Sequence, residues 1–197
     1  RLACLRAEMA VLRDYLPETA DHLAGATEAV ILTTRRTGPL RVLMRETEGV
    51  LYPAWSGAPL GAAMPANPAA AALIADGPAV LQWLYRHWMD GLTDIWEFGG
   101  LLNSRAITSM AEDGDVFGEM DWYDDLDHHH DLNRWIRIFS SGGGGYLLVD
   151  LDDPALRGDD PEAIQVLVKE AESLHRVPLF AYLDGWSAIA MGADDPA

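Results

Sequence analysis

Apolar residues recur along this chain at two different spacings, and the switches between them mark out its elements. Leu2, Leu5, Met9, Leu12 and Leu16 fall three to four residues apart, which predicts an amphipathic helix over about 2–16. Pro17 ends that helix or opens a short second one through Leu23, because its ring blocks the interior of a helix but suits its first turn. The period then shortens to two. Residues 29–34 and 40–45 read as strands joined by the turn-forming Arg35-Arg36-Thr37-Gly38-Pro39, with a third strand over 49–52. From Pro53 to Pro68 the chain accumulates Pro, Gly and Ala without a period, which predicts a loop.

Helical spacing returns at 78–90. Pro78 suits a first helical position, Leu81, Leu84, Tyr85 and Trp88 share a face, and Gly91 stands where a helix would stop. Residues 95–102 read as a strand around Gly99-Gly100, and 104–110 as a short turn or helix. Two period-two runs, 135–139 and 146–151, flank Ser140-Ser141-Gly142-Gly143-Gly144-Gly145, a β-hairpin pattern with a loose loop. Residues 164–169 carry both signals. Asp160-Pro161-Glu162 looks like a helix start, yet Ile164, Val166 and Val168 alternate as on a strand; the alternation is preferred. A closing helix is expected over 178–190, with Leu179, Tyr182, Leu183, Trp186 and Ile189 as its apolar positions. The order of elements predicts an α+β fold, a mixed or antiparallel sheet packed against helices.

Composition narrows the class. At 197 residues, with 49% apolar content and seven tryptophans, the chain has material for one well-buried core and is short for two. No apolar run approaches the ~20 residues that span a bilayer; the Ala-rich stretch 68–75 is far too short. No signal-peptide pattern is present, and the start at Arg1 rather than Met leaves room for a leader or an upstream domain. Cys4 is the only cysteine, which excludes an internal disulfide and fits a reducing, cytoplasmic setting.

Charge changes the picture most. Acidic residues outnumber basic ones 31 to 14, yet residues 1–49 carry seven of each sign, so the whole surplus lies from Val50 onward. Its densest part runs from Glu112 to Asp131, with nine carboxylates and no Lys or Arg. Such a field repels phosphate backbones and anionic lipid and favours encounter with a basic surface, which argues against direct nucleic-acid or membrane binding. Trp122 and Tyr123 interrupt the carboxylates. Aromatics supply contact area at low entropic cost, while acidic neighbours supply on-rate and register. The candidate partner-binding set is therefore Glu119, Asp121, Trp122, Tyr123, Asp124, Asp125, Asp127 and Asp131. Burial of Trp122 beneath an acidic loop is the competing explanation.

Other chemistry finds less support. His128-His129-His130 lies among Asp124, Asp125, Asp127 and Asp131, but adjacent residues point in different directions and seldom share one ion. No metal or cofactor is expected. The tetraglycine loop lacks the Gly-Lys-Ser/Thr ending of a phosphate cradle and leads into a strand rather than a helix. No Gly-x-Ser-x-Gly elbow is present, Cys4 sits on a helix near the end of the chain, and sequence cannot single out a catalytic carboxyl pair among so many. No catalytic residue is assigned.

The hairpin and its flanks carry a family resemblance. Trp135-Ile136-Arg137-Ile138-Phe139, a Gly-rich loop and Tyr146-Leu147-Leu148-Val149-Asp150-Leu151-Asp152 resemble the central region of the SUKH superfamily. These are the relatives of the fungal cell-wall assembly regulator, widespread in bacteria as immunity proteins. Leu84-Tyr85-Arg86-His87-Trp88-Met89-Asp90-Gly91 is similar to the family's helix that closes on Gly. Phe98-Gly99-Gly100-Leu101-Leu102, with 104–107, is similar to the strand and short helix that follow, and Phe180 to Leu183 to the Phe-x-x-Leu of its closing helix. The similarity covers about 77–190, so 1–197 reads as a single domain in which about 1–76 form an N-terminal helix and strand-meander extension of a SUKH-like core. The resemblance implies no enzymatic activity and neutralisation of a cognate toxin, with a basic toxin domain as the expected partner. The alternatives are a regulatory or scaffold protein of the same fold with a non-toxin partner, or a carboxylate-dependent hydrolase.

Overall fold

The computed structural model describes residues 10–34, 38–47, 50–93, 99–159, 161–168 and 174–190. Among these the chain is an α+β protein in which every strand pairing is antiparallel. None of its helices is long and apolar enough to cross a membrane.

Of the opening helix expected over 2–16, residues 10–15 are helical, and 1–9, with Cys4, lie outside the described residues. Leu12 and Leu16 are buried. Pro17 opens a second helix, α1 (Pro17–Ala26). Its first free amides are satisfied from far along the chain: Glu18 N and Thr19 N donate to the Asp184 carboxylate at 2.9 and 2.7 Å. A carboxylate at a helix start meets both the unpaired N–H groups and the positive end of the helix dipole.

The expected meander is present as β1 (Thr27–Thr34), β2 (Gly38–Thr47) and β3 (Val50–Gly57); residues 35–37 of the first turn lie outside the described residues. The third strand runs past Pro53, where a loop was expected. Leu43 pairs with Trp55 and Met44 with Pro53, so Ala54 is an extra residue at a bulge. A bulge on an edge strand is one of the few places where a sheet tolerates the missing N–H of proline.

The second departure is α2 (Pro68–Asp76), a helix where no element had been expected. Its residues are apolar except the last, so no polar face reveals it. The start signal lay in Asn67-Pro68: the Asn67 carboxamide accepts from Ala69 N and Ala70 N at 2.9 and 3.2 Å, with Pro68 in the first turn. The helix expected over 78–90 forms as α3 (Ala79–Trp83), continued by a π-helical turn Leu84–Trp88. Met89 N reaches back to Leu84 O at 2.8 Å. The added residue in that turn accompanies burial of Leu84, Tyr85, Trp88 and Met89 together. Gly91 ends the helix at φ +85°, and a Cβ there would stand 2.6 Å from Asn103 N, so only glycine fits.

The main sheet runs in the order β10-β9-β8-β7-β5-β4, with β6 also pairing with β7. Its centre is the predicted hairpin, β7 (Trp135–Ser140) and β8 (Gly145–Asp150). Beside it stand β9 (Glu162–Leu167) and β10 (Leu174–Pro178). On the other flank are β4 (Leu92–Thr93), β5 (Gly100–Leu101) and β6 (Thr108–Ser109). Alternation thus won over the helix-like start before Ile164. Of the strand expected over 95–102, residues 94–98 lie outside the described residues. The turn or helix expected over 104–110 is a turn at 104–106 that runs into a strand. β10 has no counterpart in the sequence reading, and Pro178, read as a helix start, is the last residue of this edge strand. The closing helix α6 (Leu179–Ala190) follows it.

Side chains alternate across the sheet and build two cores. On one face Leu147 and Val149 of β8, Phe139 of β7 and Ala163 of β9 join Leu12, Leu16, Ala20, Leu73, Leu81, Trp88, Leu179 and Leu183. Helical residues on both sides of position 76 share this core. On the other face Leu148, Trp135, Ile164 and Val166 join Met110, Phe117 and Leu132. The cover over that second face is the acidic segment.

Candidate functional site

The acidic segment stays on the sheet because its ends are tied and its middle is apolar on one side. At its start Ser109 N donates to the Glu112 carboxylate (2.9 Å) and Glu112 N to Ser109 Oγ (3.3 Å), the reciprocal pattern of a capping box. Asp113 is buried. It accepts from Thr108 Oγ1 at 2.5 Å and stands 3.1 Å from Arg137 Nε on β7. That contact is an ion pair without hydrogen-bond alignment, since Arg137 Nε has no hydrogen-bond partner. The Arg137 guanidinium also lies 5.3 Å from the centre of the Tyr146 ring. Burial pushes the Asp113 carboxyl above its usual range, against the opposing pull of Thr108 and Arg137.

Two short helices follow, α4 (Gly114–Phe117) and α5 (Tyr123–Asp127). Phe117 is fully buried, edge-on to Tyr146 at 5.5 Å and tilted against Trp122 at 6.1 Å. Trp122 and Tyr123, 6.4 Å apart, are half-buried and pack with Val116 and Leu126 against the second core. Tyr123 Oη donates to Met110 O at 3.4 Å. The aromatics therefore face the sheet with part of each ring uncovered.

The carboxylates divide accordingly. Glu112 and Asp113 hold the segment's start, and Asp131 accepts from the backbone and side-chain amides of Asn133, both at 3.0 Å. Glu119, Asp121, Asp124 and Asp131 are exposed. Asp125 and Asp127 stand on α5, and their side chains fall outside the described ones. All eight predicted partner-binding residues thus lie on one segment, with Glu119, Asp121, Asp124 and Asp131 exposed and the two rings half-buried against the sheet. Sequence reasoning missed Arg137 and Thr108, the ties beneath; the Ser109-x-x-Glu112 spacing was the available signal.

His128, His129 and His130 follow α5 on the exposed side. His130 Nδ1 is 3.9 Å from Asp150 Oδ2, with its ring 5.1 Å from that of Trp135. Among the described residues no group of three His, Cys, Asp or Glu converges as a metal site would require. In the glycine loop Gly142 and Gly144 take φ of +73° and +94°. Ser140 Oγ accepts from Gly142 N, and Ser141 Oγ from Gly143 N and Gly145 N, at 3.0–3.2 Å. The loop's own serines occupy amides that an anion would need.

Fold and site together define an antiparallel α+β protein with one sheet face roofed by an acidic, aromatic-backed cover. No family model matches the chain, and no curated protein or solved structure matches it.

Proposed function

We propose that this protein is a non-enzymatic, immunity-type protein of the cytoplasm that occludes a basic toxin domain with its acidic cover. The supporting observation is the separation of roles in the segment from Glu112 to Asp131. Its aromatic side packs on the sheet with Trp122 and Tyr123 left half-exposed, and its outer side presents Glu119, Asp121, Asp124 and Asp131 to solvent. No Lys or Arg of the segment neutralises them. Like charges held this close repel one another, and a docking cationic surface relieves that repulsion, so a basic partner is met fast and with a steep salt dependence. The toxin as partner rests on the resemblance of the hairpin region to the SUKH immunity proteins. The same charge disfavours direct contact with nucleic acid.

Co-expression with the product of the neighbouring gene tests the reading. Growth arrest by that product, relieved by this chain, is the expected result. In the purified complex, Asp121, Asp124 and Asp125 changed together to Asn slow association at low salt and leave the fold intact, whereas Trp122→Ala speeds dissociation. A neighbouring product that causes no arrest sinks the toxin assignment. An Asn variant that associates at the wild-type rate at low salt removes the acidic cover as the docking face.

A further inference from the structure

The acidic cover leaves the sheet and rejoins it at one place. Met110 N donates to Trp135 O at 2.8 Å and Ala111 N to Leu132 O at 3.3 Å, so the two ends of 112–131 are pinned side by side, as in the closed neck of an Ω-loop. Beyond that neck, among the described residues, no backbone hydrogen bond joins 112–131 to β7, β8 or β9. The segment bonds to itself instead: Gly118 N to Gly114 O, Met120 N to Phe117 O, Tyr123 N to Met120 O and His130 N to Leu126 O, at 2.7–2.9 Å. The rings of Phe117, Trp122 and Tyr123 also pack on one another in series. The cover thus has a structure of its own, and side chains, chiefly Asp113 and Phe117, hold it down.

A separate observation comes from the strand beneath. Among the described residues, the buried side-chain nitrogens without a hydrogen-bond partner are Trp135 Nε1 and Arg137 Nε. Both belong to β7, two residues apart and so on one face, the face that the cover shuts off from solvent. Trp135 is 4% exposed and shares its core with Phe117. A buried donor without an acceptor costs free energy that contact with water restores. Shutting the cover therefore carries a penalty that lifting it removes. The helix-packed face has no such donor among the described residues.

From these features we infer that the acidic cover is a lid: 112–131 lifts from the sheet as one body about the neck at Met110, Ala111 and Leu132, while β7–β9 stay paired. Shut, the lid withholds the Trp135 indole N–H, the Arg137 guanidinium and the Tyr146 ring. Open, the sheet offers these donors to hydrogen-bond acceptors, a chemistry opposite to that of the lid's outer carboxylates.

The test is native-state hydrogen exchange of the full chain, with no partner added, in a urea series below the unfolding transition; its outcome is independent of what the outer carboxylates bind. The amides of Gly118, Met120, Tyr123 and His130 should share a single urea dependence and exchange at least tenfold faster than those of β7–β9. The Met110 and Ala111 amides should stay with the sheet. The Trp135 indole N–H should exchange with the lid, since burial alone protects it, while the backbone amides of β7 remain protected. The inference is overturned if the four lid amides exchange with β7–β9, if each follows its own urea slope, or if the neck amides exchange with them. An indole N–H that exchanges only with the β7 backbone overturns it as well.

Discussion

The two faces of the main sheet are covered in opposite ways. One is packed by helices with continuous apolar stripes, and at its centre Phe139 meets Trp186 and Tyr182 edge-on at 4.8 and 5.6 Å. The other is roofed by helices of four and five residues that carry both apolar and acidic residues. Short helices owe their stability to packing rather than propensity, so the roof is only as firm as Phe117, Trp122 and the Asp113–Arg137 tie. One face supplies the rigidity of the protein. The other offers charge on a layer of low local stability, the kind of region from which binding elements are drawn.

Truncating one ring on each face gives the largest effect and the sharpest test. Phe139→Ala should cost about 3–5 kcal/mol in urea unfolding, as for deep core phenylalanines. Phe117→Ala should cost about 2–3 kcal/mol, because a site under short, loosely anchored helices collapses more readily around the void. Equal costs would mean that the roof is as rigid as the helical face. Next comes Arg137→Ala, expected to lower stability by about 2 kcal/mol by taking the cation from beside the buried Asp113 carboxylate. Hydrogen exchange should then quicken at 112–127 before it does so in β7–β9. Trp122→Ala, at a half-buried ring, should cost about 1–2 kcal/mol by thermal or urea unfolding. A cost near zero would place the ring wholly at the disposal of a partner.

The smallest effect is with pH. Burial raises the carboxyls of Asp113 and Asp90 above the ordinary value of 3.8, so each binds its proton more tightly folded than unfolded. That stabilisation is full below 3.8 and is lost as pH rises through the raised folded values. Unfolding measured across this window should show a shallower decline for Asp90→Asn/Asp113→Asn than for wild type. An unchanged slope would show that the two carboxyls do not titrate there.

The same contrast explains what could be read from the sequence. The hairpin was legible because two apolar runs flank the glycine loop, and β9 because Ile164 and Val166 alternate with Gln165 and Leu167. The helix Pro68–Asp76 was not, because a helix with no polar side has no period to show. The roof hid its apolar members differently. Val116, Phe117 and Leu126 are outnumbered by carboxylates, and only packing reveals that they point one way. Two of the nine acidic residues, Glu112 and Asp113, turned out to be spent on tethering the segment, a use that depends on Ser109, Thr108 and Arg137 being adjacent in space.

The bond between α1 and Asp184 also sets an order in time. The partners are separated by 166 and 165 positions, so α1 leaves the ribosome long before the carboxylate that completes its first turn exists. At roughly 5–20 residues per second, that interval is about 8–33 s. Throughout it Leu12, Leu16 and Ala20 await the Leu179, Phe180 and Leu183 with which they share a core. The nascent chain therefore carries an unfinished apolar surface around α1 until α6 is made.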